Sequence, residues 1–157
     1  MADNLLPEDF YDEDQEMSVE DIEDEKYTGY KDSYYFEIEQ GDFLRDGSNK
    51  VILCSGFDAW TQWCEKCLLT QRGSCLAYDT DFGIDAELAF AADSKEEAEN
   101  ILRTEITEAL NADPFSRLDY IDEITFNWTA PDAVEIFAVI VGIDGNTAEI
   151  SATLQTE

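Results

Sequence analysis

The spacing of apolar residues divides the chain into a polar leader, a pair of thin strands, two amphipathic helices and a run of strands. Between Tyr34 and Gly56, Phe36 and Ile38 alternate with charged residues. Val51-Ile52-Leu53-Cys54 then makes an apolar run expected to be buried. Asp46-Gly47-Ser48-Asn49 supplies turn chemistry between the two. Phe57, Trp60, Trp63, Cys64, Cys67 and Leu68 recur at steps of three and four, which predicts a helix over 57–69 with one wide apolar face. Gly73 stands where a left-handed C-cap residue belongs, with Arg72 placed to meet the last carbonyls.

Ser94-Lys95-Glu96-Glu97 is a capping box, and Ala98, Ile101, Leu102, Ile106, Ala109 and Leu110 form the buried stripe of a second helix that Pro114 ends. Three strands follow, at 120–128, 133–143 and 147–154, joined through Thr129–Asp132 and the Asp144-Gly145-Asn146 turn as an antiparallel meander. The middle strand is apolar on most of both faces, so it belongs in the centre of the sheet. In the last strand, Glu149, Ser151 and Thr153 alternate with Ala148, Ile150, Ala152 and Leu154, the pattern of one wet and one buried face. The element order predicts an α+β fold: an antiparallel or mixed sheet with two main helices packed on one face.

Residues 1–33 read as an acidic tail preceding a single domain at 34–157. Thirteen of these residues are acidic and two are basic, too polar to offset the entropy of ordering. Within the tail, Asn4–Tyr11 ("NLLPEDFY") clusters Leu5, Leu6, Pro7, Phe10 and Tyr11. It is either a chance cluster in a leader or a peptide that docks into a partner's groove.

Charge narrows the choice of partner. Nine Lys and Arg face 38 Asp and Glu, a formal net charge of −29. Nucleic acid and anionic membrane surfaces are therefore excluded, because both need a basic face. The chain has no histidine, so Ser-His and Cys-His nucleophile arrangements are excluded too. Nothing resembles a signal peptide or a bilayer-spanning stretch, and four cysteines are expected to act as small buried hydrophobes in a reducing interior.

Other chemistry is weakly supported. Cys64 and Cys67 form a CxxC inside a helical pattern, with Cys54 and Cys75 as the other sulfurs and no second CxxC, so packed thiols are expected ahead of zinc. Asp79, Asp81 and Asp85 have the odd-position spacing of a calcium loop, but its glycine falls one place early and Phe90 stands where a bidentate glutamate is needed. A polar turn with Gly83 at positive φ is the simpler expectation. Carboxylate pairs carry no information in so acidic a chain, and the aromatic residues lack interleaved Lys or Arg for base stacking.

Leu68-Leu69-Thr70 with Arg72-Gly73, then Asp81-Phe82-Gly83, the capped helix "ILRTEITEALNADP" and the strand meander together resemble the small baseplate wedge proteins of contractile tails. The resemblance spans about residues 34–150 and is nearest to the XkdS-like branch of phage and phage-derived particles; "NLLPE" resembles that branch too. It implies a structural virion or tail-particle component, assembled in the host cytoplasm. Present in several copies in a symmetric baseplate, it would link wedge subunits to the first ring of tail sheath protein. It also implies that the sheet accepts extended arms from sheath subunits by edge-strand addition, placing Glu149, Ser151 and Thr153 at the contact. The superfamily's Glu-Pro-Arg motif after the second helix maps onto Asp113, Pro114 and Phe115, with Arg117 two residues later. Either Arg117 takes the arginine's contact with the wedge, or Phe115 replaces it with an apolar plug. Arg72 either caps a helix or serves a partner, and Arg72-Gly73 and Asp81-Phe82-Gly83 together are expected to form a joint.

The superfamily is often labelled lysozyme-like, but the sequence names no catalytic acid beside a sugar cleft, so no enzymatic activity and no cofactor are expected. The rival readings are a cell-wall-degrading enzyme and an acidic adaptor that titrates basic proteins or mimics DNA; the large share of charge in the leader argues against mimicry. Treatment with a strong chelator should leave the melting temperature unchanged. Stoichiometric zinc or calcium, with a melt that falls on chelation, would reverse that reading.

Overall fold

The computed structural model describes residues 29–156. Asn4–Tyr11 lies outside them. The chain runs through β1 (Ser33–Tyr34), β2 (Phe36–Glu37), β3 (Asp42–Phe43), β4 (Leu53–Cys54), α1 (Gly56–Leu69), α2 (Ala86–Phe90), α3 (Lys95–Asn111), β5 (Leu118–Ala130), β6 (Ala133–Gly142) and β7 (Thr147–Gln155). The architecture is the expected α+β arrangement. Strands β5, β6 and β7 form an antiparallel sheet in that order, with β6 in the middle.

The inner face of the sheet carries Val134, Ile136, Ala138 and Ile140 from β6, all at most 1% exposed. Ile150, Ala152 and Leu154 from β7 and Ile124 from β5 extend it. α1 lies against β7 and α3 against β5, both on this face. Trp60, Cys64, Cys67 and Leu68 from α1 meet Leu102, Ile106, Ala109 and Leu110 from α3 over the strands. Each large side chain removed from water here contributes about 1.5–3 kcal/mol. The periodicity of both helices is thus explained by one shared core.

The N-terminal region is thinner than expected. Instead of two strands, four two-residue strands pair as β1–β4 and β2–β3. Of the Val51–Cys54 run only Cys54 is fully buried, and Leu53 is 63% exposed, since among the described residues no layer covers the far side of these short pairs. Ile38 lies past the end of β2 and is exposed. The turn at 46–49 forms as expected, with Asp46 accepting the Ser48 and Lys50 amides and Asn49 at φ 63°.

Helix ends deviate in an instructive way. α1 stops at Leu69, and Thr70 leaves it in extended conformation, so Gly73 is not its cap although its φ is 76°. The Thr70 carbonyl accepts the Ile84 amide at 3.0 Å and the Arg72 amide donates to Ile84 at 2.9 Å, a parallel bridge that pulls the chain out of the helix. The five-residue α2, absent from the sequence expectation, starts where the Asp85 side chain accepts the Leu88 amide. At α3, Ser94 caps the Glu97 amide as expected, but Glu97 returns to the Asp93 amide, one residue earlier than a capping box requires.

Packing reaches back past the expected boundary at residue 34. Asp32 accepts the Gly56 amide at the start of α1. Tyr30 stacks against Phe57 and Trp60 and donates its hydroxyl to Asp144 Oδ1 at 2.9 Å. Burial, then the Asp144 hydrogen bond and charge, push the Tyr30 hydroxyl up to about 12. Asp144 is held below the usual carboxylate range: burial acts against this, but the Asn146 amide and the Tyr30 hydroxyl outweigh it.

Because the folded pKa of Tyr30 lies above its ordinary value of 10.0, its contribution is complete below that pH and fades as pH climbs toward 12. Tyr30→Phe should lower stability at neutral pH by about 1 kcal/mol. It should also remove part of the alkaline loss, measured by denaturant melts across that window. A variant as stable as the parent at neutral pH would show that the hydroxyl contact is immaterial.

Candidate partner-docking site

Gly83 is required by geometry at the joint between α1 and α2. Its φ is 95°, and a Cβ there would collide with the Thr70 carbonyl. Its own carbonyl accepts Arg72 Nε at 3.1 Å. Arg72 continues to Glu105, with Nη2 to Oε2 at 2.9 Å, and the same Glu105 oxygen accepts the Asp85 amide at 2.8 Å. Gln71 closes the joint by donating to Asp85 Oδ1 and accepting the Ala86 amide. Phe82 is buried on Trp63 and Tyr78, while Asp81 is exposed. Arg72 therefore does not meet the α1 carbonyls; its charge ties the end of α1 to α3.

Glu105 was missed in the sequence, yet a signal existed. It lies three residues past Leu102 and four past Ile101, on the apolar stripe of α3, where a carboxylate needs a cationic partner.

The turn after α3 is a second internal tie. Asp113 has a fully buried side chain and binds Arg117 through two hydrogen bonds, Nε to Oδ2 at 2.7 Å and Nη2 to Oδ1 at 2.8 Å. It also accepts the amides of Phe115 and Arg117. The Arg117 guanidinium stacks on Trp63 and Phe115, and Lys31 lies over the Phe115 ring at 4.7 Å. Pro114 and Phe115 line a cleft of about 230 Å³ with Trp63 and Lys66. Arg117 is 6% exposed, whereas Phe115 is 42% exposed.

The third feature is the free edge of β7. The Gly142 amide donates to Asn146 and the Thr156 amide to Asp132, so the even-numbered pairs carry the β6–β7 ladder bonds. By alternation the amides and carbonyls of Glu149, Ser151 and Thr153 point away from β6. Among the described residues no strand pairs with β7 on that side. The opposite edge, on β5, is broken by three register shifts, while β7 pairs without a shift over all nine residues. Bulges twist an edge away from partners and a regular edge invites them.

The site residues anticipated from sequence thus fall in three separate places. Arg72, Gly73, Asp81, Phe82 and Gly83 belong to the joint. Asp113, Pro114, Phe115 and Arg117 form the turn, and Glu149, Ser151 and Thr153 lie on the edge. Cys54, Cys64 and Cys67 are buried and free, and burial pushes the Cys64 and Cys67 thiols up. Cys75 departs from the expected four buried thiols: it sits in the exposed 74–79 loop, outside every packed element. Among the described residues no three His, Cys, Asp or Glu side chains are grouped to hold a metal ion. No helix among them is long and apolar enough to cross a membrane.

Two long helices thus pack on one face of a three-stranded meander whose β7 edge is unpaired among the described residues. The family model for the contractile injection system sheath initiator matches residues 32–145, and the chain belongs to that family. Its role is structural, in sheath assembly. A search of curated proteins finds no match.

Removing one partner of a buried ion pair leaves the other uncompensated. Asp113→Ala should destabilise the protein by roughly 3–5 kcal/mol, whereas Asp81→Ala, on an exposed carboxylate, should change stability by less than about 0.5 kcal/mol. Urea melts of both variants would show it. Equal, small effects would mean that the turn contributes nothing to stability.

Proposed function

We propose that this protein starts tail-sheath assembly by offering the edge of β7 to an extended arm of a sheath subunit, and that it joins the sheath to baseplate wedge subunits without catalysing a reaction. The unpaired, unshifted edge of β7 is the observation that carries this reading. An incoming strand would satisfy the amides and carbonyls of Glu149, Ser151 and Thr153 and extend the sheet by one strand. Specificity would come from charge, since a chain of net charge −29 favours a basic sheath surface.

The wedge contact is assigned to the turn after α3. Arg117 is already bound to Asp113, so the apolar ring of Phe115, and not a guanidinium, faces the wedge. Among the described residues the two most buried carboxylates, Asp113 and Glu105, are each held by an arginine, which favours a structural over a hydrolytic reading. The protein would then act in several copies within a symmetric baseplate, assembled in the host cytoplasm.

Proline separates the edge from the ladder. Glu149→Pro removes an outward amide and should cost about 1 kcal/mol or less, while lowering sheath nucleation at least tenfold in a co-assembly assay followed by sedimentation. Glu149→Gln keeps the amide and should retain most of that activity. Ala152→Pro would instead break a bond to β6 and destabilise the fold. Normal sheath seeded by Glu149→Pro would reject edge docking and move attention to the 33–54 strands.

A further inference from the structure

The sheet has a second face, and among the described residues no helix covers it. Along β6 this outer face presents Phe137 and Val139, while Val141, paired with Tyr120 of β5, is buried on the same side. Phe137 is 47% exposed and Tyr120 51%. In the register Glu123 stands opposite Val139 on one side and Glu149 on the other, and Glu135 lies further along the same strand. Thr125 and Ser151 flank Phe137 in the same way. Together Glu123, Thr125, Phe137, Val139, Glu149 and Ser151 line a groove of about 430 Å³. Phe137 and Val139 thus form a short apolar ridge with carboxylates on both flanks.

We infer that this outer face binds a basic amphipathic helix of a partner protein, which completes a third layer on the sheet. Charge selects the partner. A second copy of the chain would bring Glu123 and Glu149 against the same residues, between molecules of net charge −29. The acidic leader carries the same sign of charge. A partner with Lys or Arg on either side of an apolar ridge complements the groove.

Geometry selects a helix. The backbone groups of β5, β6 and β7 hydrogen-bond in the plane of the sheet, so the face offers side chains alone, whereas an added strand needs an edge. Glu123 and Glu149 sit two strand spacings apart, roughly 10 Å, which matches the diameter of a helix with its side chains. The inner face of the same sheet already takes helices, α1 and α3. Edge docking at β7 uses amides, and face docking uses the side chains of Phe137, Val139, Glu123 and Glu149, so the two can fail separately.

The test uses the full chain and two labelled helical peptides, one with a leucine ridge flanked by lysines and a matched one flanked by glutamates. Fluorescence anisotropy measures affinity at low and moderate salt, and amide chemical shifts locate the site. The lysine peptide should bind at least tenfold tighter than the glutamate peptide, with shifts at 123–125, 135–141 and 149–151. Phe137→Ser should weaken binding at least tenfold. Glu123→Gln with Glu149→Gln should weaken it several-fold and flatten the salt dependence. Leu76→Ser, at a fully exposed position in the 74–79 loop, should change nothing. If Phe137→Ser fails to melt cooperatively, the double glutamine variant decides. Unchanged binding by the folded variants, or shifts confined elsewhere, would overturn the inference. So would self-association of the chain that Phe137→Ser abolishes, since that would assign the face to a second copy.

Discussion

β6 occupies the interior of a three-stranded sheet, and its inner residues Val134, Ile136, Ala138 and Ile140 are the floor on which both long helices pack. A sheet of three strands has two edges by construction. One of them, on β5, is irregular through its register shifts; the other, on β7, is straight and unpaired among the described residues. The burial that builds the core therefore also creates the surface on which assembly can act. A free monomer tolerates such an edge only as a liability, whereas a component that starts a polymer can use it as a template.

Two of the scarce basic side chains are turned to internal carboxylates. Arg72 binds Glu105 and Arg117 binds Asp113, which fastens the loop after α1 and the turn after α3 to the core. At a net charge of −29 the outward field is dominated by carboxylates, a field that would favour basic partners and oppose self-association. An isolated buried ion pair is weak evidence of net stabilisation, but losing one member is costly, so both ties fix conformation more than they add stability.

Much of the fold is legible in the sequence because both helices and the meander bury one face each. Period and alternation therefore survive in α1, α3, β6 and β7. α2 is too short at five residues to show a period, and its start depends on Asp85, whose role is set by the distant Gln71 and Glu105. The apolar run at 51–54 misleads because its strand is two residues long and, among the described residues, lacks a covering layer. The apolar outer face of β6 rightly signals a central strand, yet Phe137 remains half exposed, since central placement in the sheet does not guarantee a layer on both sides. At the site, Arg72 was recognisable as unusual but not as an internal tie, because its partner lies 33 residues away in α3. The outward direction of the Glu149, Ser151 and Thr153 amides depends on ladder phase, which sequence alternation alone does not set.

Residue-resolved amide hydrogen exchange, with and without the sheath protein, tests edge docking most directly. In the free protein the amides of Ile150 and Ala152, bonded to β6, should exchange slowly, and those of Glu149, Ser151 and Thr153 quickly. Sheath binding should protect the latter three by at least tenfold and leave the former nearly unchanged. Sheath binding with no added protection at Glu149, Ser151 and Thr153 would contradict edge docking at β7.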